Sequence, residues 1–172
     1  MRRTFATLTT AALIGGAGLA TAEPARAAVI DPSAYGIASS GAIALPAQPS
    51  VDWTSGAAVS SSSPGLRDGP VSVGTMAVAA GSGFAAAHIA DLRYGDLLSI
   101  TSLTAACAGG RTAVSVAGTA RGAQLHPGMR ITLPGGYAEI GATTTHPDGT
   151  VTVTGLTLAV DGEVLLAAVT RC

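Results

Sequence analysis

Apolar and polar residues alternate with a period of two along much of the chain, a pattern typical of half-buried β-strands. The clearest unit is residues 150–160, in which Val and Leu alternate mainly with Thr. Asp148-Gly149 precedes this unit and Asp161-Gly162 follows it, and both dipeptides suit tight hairpin turns that need a positive φ. The C-terminal part is therefore predicted to consist of strands joined by tight turns.

Similar segments recur between Gly, Pro and Asp-Gly positions, and no long segment after residue 27 keeps a helical period. We predict an all-β fold, an antiparallel sandwich or barrel of about nine or ten strands. The Ser-rich run 60–65, which ends in Pro-Gly, is predicted to be a flexible exposed loop. The other predicted strands cover residues 35–45, 71–73, 97–106, 113–117, 129–133 and 137–145.

The alternation changes phase at two places. Val153 is odd-numbered and Leu156 is even-numbered, so an uninterrupted strand would turn one of the two to solvent. A β-bulge at Thr154-Gly155 would restore the pattern, because glycine tolerates the unusual backbone of a bulge. The same change of phase occurs at Gly74-Thr75.

The segment 84–92 is ambiguous, because its alanines favour a helix. Gly81 and Gly83 before it, and Tyr94-Gly95-Asp96 after it, favour a strand with a face of small residues. We interpret it as a strand. His88 and Asp91 are three residues apart and should then lie on opposite faces, whereas a helix would place them on one side.

Residues 1–27 predict a secretion signal. The pair Arg2-Arg3 precedes an apolar stretch, residues 11–20, which is too short to span a bilayer, since a span takes about 20 apolar residues. Cleavage is expected after Ala25-Arg26-Ala27, with Ala20-Thr21-Ala22 as the second choice. Arg2-Arg3-Thr4-Phe5 partly resembles a twin-arginine signal, so that route stays open, but almost nothing precedes the arginine pair, which favours the general secretory route.

Cleavage after Ala27 leaves residues 28–172 as one all-β domain, because 172 residues give little room for a second. No later apolar segment approaches the length of a membrane span, so we expect a secreted or extracellular protein, at most loosely associated with the cell envelope. A formal net charge of −1 offers no basic field for nucleic acid. The partner is not identified by the sequence; an envelope protein and a polysaccharide are the classes considered.

Two cysteines in an oxidising compartment predict one disulfide, Cys107 to Cys172. This bond would close a loop of about 65 residues, which the chain-entropy treatment credits with about 4 kcal/mol of stability. It would also hold the last residue, which would otherwise fray. A metal-thiolate or catalytic role would need more ligands or a histidine in sequence context.

Several short blocks follow one another in a definite order. They are Ala34-Tyr35-Gly36-Ile37, Gly74-Thr75-Met76-Ala77-Val78, Ala87-His88-Ile89-Ala90-Asp91-Leu92, Cys107-Ala108-Gly109-Gly110, Asp148-Gly149-Thr150-Val151-Thr152-Val153 and the terminal Cys172. Together they resemble the choice-of-anchor P family of secreted proteins. The resemblance implies an exported, β-rich protein of uncharacterised function, and it supplies no catalytic residues. The chain departs from the family pattern at Tyr137-Ala138-Glu139-Ile140, where an Asn-rich strand is more usual, and in having no recognisable C-terminal anchor.

His88, His126 and His146 are the candidate catalytic bases. A serine hydrolase needs a nucleophile, an imidazole and an orienting acid in one place, and no Gly-x-Ser-x-Gly elbow is present. His126-Pro127-Gly128 and His146-Pro147-Asp148-Gly149 are typical of turns. We therefore expect no catalytic residue. A histidine within hydrogen-bond reach of a carboxylate and a serine in one cleft would instead favour a hydrolase.

No metal and no cofactor are expected. The histidines lack the spacing of paired zinc ligands, and Asp148 and Asp161 lie in separate turns without a calcium loop. No phosphate loop or dinucleotide fingerprint is present. The carboxylates considered for glycoside hydrolysis are predicted to lie in turns or on solvated faces; they are Asp52, Asp91, Asp96, Glu139 and Glu163.

Trp53 is a weak candidate for binding. It follows Asp52 and precedes a Thr-Ser-Gly loop, which suits an exposed anchor, but the preferred interpretation is that it closes one end of an aliphatic core. An extended sheet edge that recruits a partner strand is a further candidate surface. The sequence thus predicts an exported, non-catalytic structural or interaction module. The alternative is a small secreted hydrolase or ligand-binding sandwich with a site built from loops.

Overall fold

The computed structural model describes residues 31–41 and 43–172, so the predicted leader, residues 1–27, lies outside the described residues. The described residues form fourteen β-strands and no helix, which confirms the all-β prediction and shows that nine or ten strands were too few. Within this part of the chain no helix is available that could cross a membrane. The strands are β1 (Ser33–Ser40), β2 (Gln48–Asp52), β3 (Val59–Ser63), β4 (Leu66–Asp68), β5 (Val71–Val73), β6 (Thr75–Gly81), β7 (Phe84–Tyr94), β8 (Leu98–Ala108), β9 (Arg111–Ala120), β10 (Ala123–Gln124), β11 (Arg130–Leu133), β12 (Gly136–Thr145), β13 (Val151–Val160) and β14 (Glu163–Arg171).

The strands form two antiparallel sheets. The first has the order β11-β12-β13-β14-β1-β2. The second has the order β10-β9-β8-β7-β5-β4. Strand β6 also pairs with β7 and continues the line of β5, and β3 pairs with β6 and continues the line of β4. Strand β14 lies against β7 and β8, and β1 lies against β6 and β7. The sheets thus face each other without closing into a barrel, so the barrel alternative is wrong.

The core lies between the two sheets and is built from small and medium aliphatic side chains. Both inner faces contribute, and among the largest fully buried residues are Ile37, Ile140 and Leu156 from the first sheet and Ile89 and Leu103 from the second. Apolar burial stabilises by about 25 cal/mol per Å². Each sheet therefore depends on the other to keep its apolar face away from water.

In four strands of the first sheet, the alternation of inward and outward side chains shifts by one residue. The four shifts occur in one row across the sheet, which we call the first crease. Gly36 in β1, Ala168 in β14, Gly155 in β13 and Gly141 in β12 lie in line across the sheet. No Cα pair is formed at this level, and the register is the same on both sides of it. All four strands therefore step together, and none slips past its neighbour.

The first crease explains the sequence pattern around Gly155. Val153 and Leu156 are both fully buried, so the predicted change of phase is confirmed. The predicted β-bulge at Thr154-Gly155 is wrong, because the neighbouring strands change phase at the same level and β13 needs no extra residue against either of them. Gly141 and Ala168 in the same row have positive φ, 81° and 51°.

A second crease crosses part of the second sheet and, unlike the first crease, ends in a β-bulge. Gly74, between β5 and β6, lies opposite Asp91 in β7, and Asp91 lies opposite Thr101 in β8. The next strand, β9, keeps its phase, so the register between β8 and β9 shifts by one residue and Thr101 is the extra residue of a β-bulge. The change of phase predicted at Gly74-Thr75 is therefore absorbed by a bulge further across the sheet.

The second crease changes the side on which Asp91 lies. Residues 84–94 form β7, as the strand interpretation predicted. Ile89 and Leu92 are buried, whereas His88 and Asp91 are both exposed on the outer face of the sheet. The expectation of opposite faces is wrong, because the strand steps by one residue at Asp91, whose φ is 53°.

The hairpin turns agree with the sequence in part. Asp161 and Gly162 both have positive φ, 52° and 82°, as predicted for a two-residue turn. At the other hairpin only Gly149 has a positive φ, 83°. The His146 N–H donates to Thr150 O and the Gly149 N–H donates to His146 O, and these bonds close a three-residue loop.

The Ser-rich run is not the predicted flexible loop. Residues 59–63 form β3, which pairs along its length with β6. Serine occupies both faces of this edge strand, so the run shows no alternation of apolar and polar residues. The residues of β3 alone do not predict a strand, because its extended conformation depends on pairing with β6 and not on a hydrophobic pattern of its own.

The Cys107–Cys172 disulfide is present as predicted, with Cα atoms 6.2 Å apart. It joins β8 of the second sheet to the residue that follows β14 of the first. The Cys172 N–H donates to Val151 O at 3.0 Å, and the Val151 N–H donates to Cys172 O at 2.8 Å. The bond therefore links the two sheets and holds the last residue on the edge of β13.

Replacing both Cys107 and Cys172 with alanine should lower the free energy of unfolding by about 4 kcal/mol, because the unfolded chain regains the freedom of the closed loop. Urea denaturation measures this change. The Val151 and Cys172 amides should also exchange faster with solvent. Mass analysis of the unreduced protein should find no free thiol, and two free thiols would contradict the bond.

The second crease predicts an unusual order of stability at position 91. In an ordinary strand valine is more stable than glycine by about 1 kcal/mol. At a φ of 53° a β-branched residue is strained, so we expect Asp91→Gly to exceed Asp91→Val in free energy of unfolding by about 1–2 kcal/mol. His88→Gly and His88→Val, also exposed on β7, should show the ordinary order. The same order at both positions would argue against the crease.

Candidate functional site

The three histidines lie on separate elements. His88 Nδ1 is 3.1 Å from Thr104 Oγ1, and His146 Nε2 is 2.9 Å from Thr152 Oγ1. His126 contacts the backbone of the next residue. Within residues 31–41 and 43–172 no histidine is hydrogen-bonded to a carboxylate or to a serine, and no group of three His, Cys, Asp or Glu could hold a metal ion. The arrangement that would favour a hydrolase is therefore not assembled among these residues.

A polar cluster surrounds Asp148 in the loop between β12 and β13. Asp148 Oδ1 accepts hydrogen bonds from the Thr150 hydroxyl at 2.6 Å and the Thr150 N–H at 2.9 Å, and Oδ2 pairs with Arg171 Nη2 at 3.0 Å. These contacts lower the pKa of Asp148, the Thr150 hydroxyl most and then its N–H, with the Arg171 and His146 charges adding smaller effects. The cluster holds the loop against the end of β14.

Thr150→Val keeps the shape of the side chain and removes the hydroxyl donor, so the pKa of Asp148 should rise towards its ordinary value. A lowered folded-state pKa contributes stability above the unfolded pKa, and this contribution is lost as the pH falls through the folded value. The variant should therefore lose stability near neutral pH but little at pH values below the folded pKa. An NMR titration of the Asp148 carboxyl measures the shift; an unchanged pKa would contradict the assigned hydrogen bond.

The carboxylates considered for glycoside hydrolysis are spread over both sheets. Asp52, Asp91 and Asp96 are exposed, and Glu139 and Glu163 are half-buried. Exposed positions are consistent with the solvated faces predicted for the first three residues. The two glutamates lie in β12 and β14, which are not neighbours in the first sheet.

Trp53 lies just after β2 and is half-buried. Its side chain packs against the core, and its indole N–H donates to Gly56 O at 3.3 Å. This packing matches the alternative in which Trp53 closes one end of the core. Trp53 can bind a partner only through the part of the ring that faces solvent.

A cleft of about 230 Å³ lies beside the disulfide. Loop residues form much of it, including Pro32, Gly83 and Gly149, and the side chain of Arg111 supplies its charge. A specific ligand site usually adds several convergent polar groups to an apolar lining. The cleft has the loop-built character of the alternative function, but a single charged side chain orients a ligand poorly.

Part of the outer face of the second sheet is built mainly from small side chains, and we call this part the small-residue face. A groove of about 420 Å³ crosses it near His88. Two rows of Cα partners define the face: Ser62, Ala77, His88, Thr104 and Ser115, and next to them Ser60, Ala79, Ala86, Ala106 and Ala113. Small side chains leave room for larger groups of a partner laid across them.

Strand β9 forms one border of this face, and much of its outer edge has no neighbouring strand. Ala117 O accepts a hydrogen bond from Thr101 Oγ1 in β8, whereas Gly118 O accepts one from the Leu125 N–H on the opposite side. Backbone groups alternate in direction along a strand. Those of residues 112, 114 and 116 therefore point away from β8, and no described strand pairs with them. We call residues 112–117 the open β9 edge.

The other sheet borders are shorter or interrupted. β2 contains Pro49, and Pro64 interrupts the line of β3 and β4, while β11 has four residues. Proline, charge and short length are common means of preventing strand pairing at an edge. The open β9 edge has no proline and no charged residue between Arg111 and Ala120. It is thus the border best suited to accept another strand.

Comparison with protein-family models, with curated proteins and with solved structures finds no match to this chain. The candidate surfaces consequently rest on the geometry of the chain itself. The sequence predicted a strand-recruiting edge without its location. The signal for the location is the uncharged Thr-Ala-Val-Ser-Val-Ala segment, residues 112–117.

Proposed function

We propose that the protein is an exported, non-catalytic β-domain that acts as a structural or interaction module in the cell envelope or extracellular space. Export is supported by the sequence of residues 1–27 and by the Cys107–Cys172 disulfide, a bond that persists mainly in oxidising compartments. We further propose that the two facing sheets are a β-sandwich and that the chain belongs to the choice-of-anchor P family. The order of sequence blocks supports the family proposal.

The open β9 edge is the observation that carries this function. Residues 112, 114 and 116 direct unpaired N–H and C=O groups outward, which an extended segment of a partner protein can satisfy by adding as a further strand. Each such hydrogen bond contributes about 0.5–1.5 kcal/mol net. Ala113, Ser115 and Ala117 on the outer face are small and would leave space for the partner's side chains. Each paired residue therefore contributes little free energy of binding, and the total rises with the number of residues that the partner strand pairs.

Ligand binding at the cleft beside the disulfide is the second candidate. Its loop-built lining favours a small apolar ligand. Strand addition is preferred because it uses backbone groups that have no partner in the described fold, whereas Arg111 is the one charged side chain of that fold that lines the cleft. Hydrolase activity is not proposed, since the histidines contact threonines and backbone.

A lysine on the open β9 edge should block strand addition, because edge lysines oppose pairing. Ser115→Lys is the test and Ser62→Lys is the matched control, since both residues are exposed and lie in one row at opposite borders of the sheet. Capture of the partner from envelope fractions by the exported protein should fall at least about tenfold with Ser115→Lys, a loss of about 1.4 kcal/mol. Ser62→Lys should capture as well as the unchanged protein.

Amide exchange locates the contact independently of capture. The amides of residues 112, 114 and 116 should exchange quickly in the free protein and slowly in the complex, while that of Ala113 is protected in both. If the added strand comes from a second copy, sedimentation should show a dimer that Ser115→Lys abolishes. Undiminished capture by Ser115→Lys, with no change in exchange at β9, would refute strand addition.

A further inference from the structure

The second crease leaves a shallow notch in the outer face of the second sheet. Gly65 and Gly74 line it, and a Cβ on Gly65 would lie 2.6 Å from Val73 O, so the backbones approach closely here. The notch has a volume of about 440 Å³. We call it the crease notch. It lies away from the open β9 edge, on strands β4, β5 and β7.

Two arginines flank one serine in the crease notch. Arg67 in β4 is the Cα partner of Ser72 in β5, and Ser72 is the Cα partner of Arg93 in β7. The arginine Cα atoms are thus about 10 Å apart, since neighbouring strands are about 4.8 Å apart. Both side chains are exposed and line the notch, and neither forms an ion pair within the described chain. Their guanidinium groups can converge on one anion between them.

Asp91 places a carboxylate in the same notch. A Cβ on Gly74 would lie 3.2 Å from Asp91 Oδ2, so this carboxylate lies over the glycine. It accepts no hydrogen bond in the described structure. Its backbone φ of 53° lies in the left-handed region, which few residues other than glycine, asparagine and aspartate adopt, and such positions often occur at functional sites. The two arginines and Asp91 together carry a net charge of +1.

We propose that the crease notch binds a uronic acid residue, a sugar that carries a carboxylate, within an extended glycan. Arg67 and Arg93 donate charge-assisted hydrogen bonds to the sugar carboxylate. Asp91 accepts hydrogen bonds from ring hydroxyls, and Ser72 contributes its hydroxyl between the arginines. A single carboxylate neutralises the net charge of +1, whereas a phosphate dianion would leave a net charge of −1 beside Asp91. The contact surface is shallow, so the affinity for one sugar is low, and repeated sugars along a chain add only a statistical factor at a single notch.

The proposal is tested with an oligomer of galacturonic acid and its carboxyl-reduced neutral counterpart, each titrated into the exported protein while amide NMR shifts are recorded. The acidic oligomer should shift the amides of Ser72, Gly74 and Arg93, with a dissociation constant of about 1 mM. The neutral oligomer should bind at least about tenfold more weakly, because it loses the charge-assisted hydrogen bonds.

Variants separate this site from other charged surfaces. Arg67→Gln and Arg93→Gln should each weaken binding of the acidic oligomer about tenfold. Arg111→Gln, an exposed arginine at the far end of β9, is the matched control and should have no effect. Asp91→Asn keeps a side chain that tolerates the backbone and should raise the affinity for inorganic phosphate relative to the acidic oligomer.

Three results would each overturn the proposal: the two oligomers bind equally well, Arg93→Gln and Arg111→Gln bind the acidic oligomer equally well, or no amide NMR shift appears at about 10 mM oligomer. Tighter binding of phosphate than of the acidic oligomer by the unchanged protein would also overturn it. Ser115→Lys should leave oligomer binding unchanged. Strand addition at β9 and sugar binding at the crease notch can therefore fail separately.

Discussion

A sheet that packs on one face must keep its apolar side chains on that face, and each residue added to one strand alone reverses the sides that follow. A change of phase must therefore be copied by the neighbouring strands or absorbed by a bulge. In the first sheet the neighbouring strands copy the change, and Gly36, Ala168, Gly155 and Gly141 lie in one row. In the second sheet both occur: β8 copies the step at Gly74 and Asp91, and a β-bulge between β8 and β9 then absorbs it.

This constraint also shapes the outer surface. A step that keeps Ile89 and Leu92 in the core turns Asp91 outward, onto the side of the sheet that carries His88 and Arg93. The residues at the step are small where strands come close, which produces the notch beside the two arginines. The polar groups of the crease notch are thus brought together by the same geometry that protects the core.

The sequence predicted features that depend on one strand or on one pair of residues. Alternation in residues 150–160 predicted a strand, and two cysteines allowed one bond. It could not predict features that depend on neighbours. Nothing in the residues around Gly155 shows that Gly141 and Ala168 step with it, so a bulge was expected. The serines of β3 likewise have no pattern of their own. A regular strand would put Asp91 on the face opposite to His88, and its sequence gives no sign of the step at Asp91 that brings the two to one face.

The open β9 edge follows from how the chain passes from one sheet to the other. After β10 the Leu125 N–H bonds to Gly118 O, and three residues later the Gly128 N–H bonds to Ile140 O of β12 at 2.7 Å. The chain therefore leaves the second sheet opposite Gly118 and covers only the last residues of β9. A longer β10 would close the edge but would delay this crossing, and β11 could then not pair with β12 in its present register. The connection between the sheets and the unpaired backbone of β9 are consequences of one short strand.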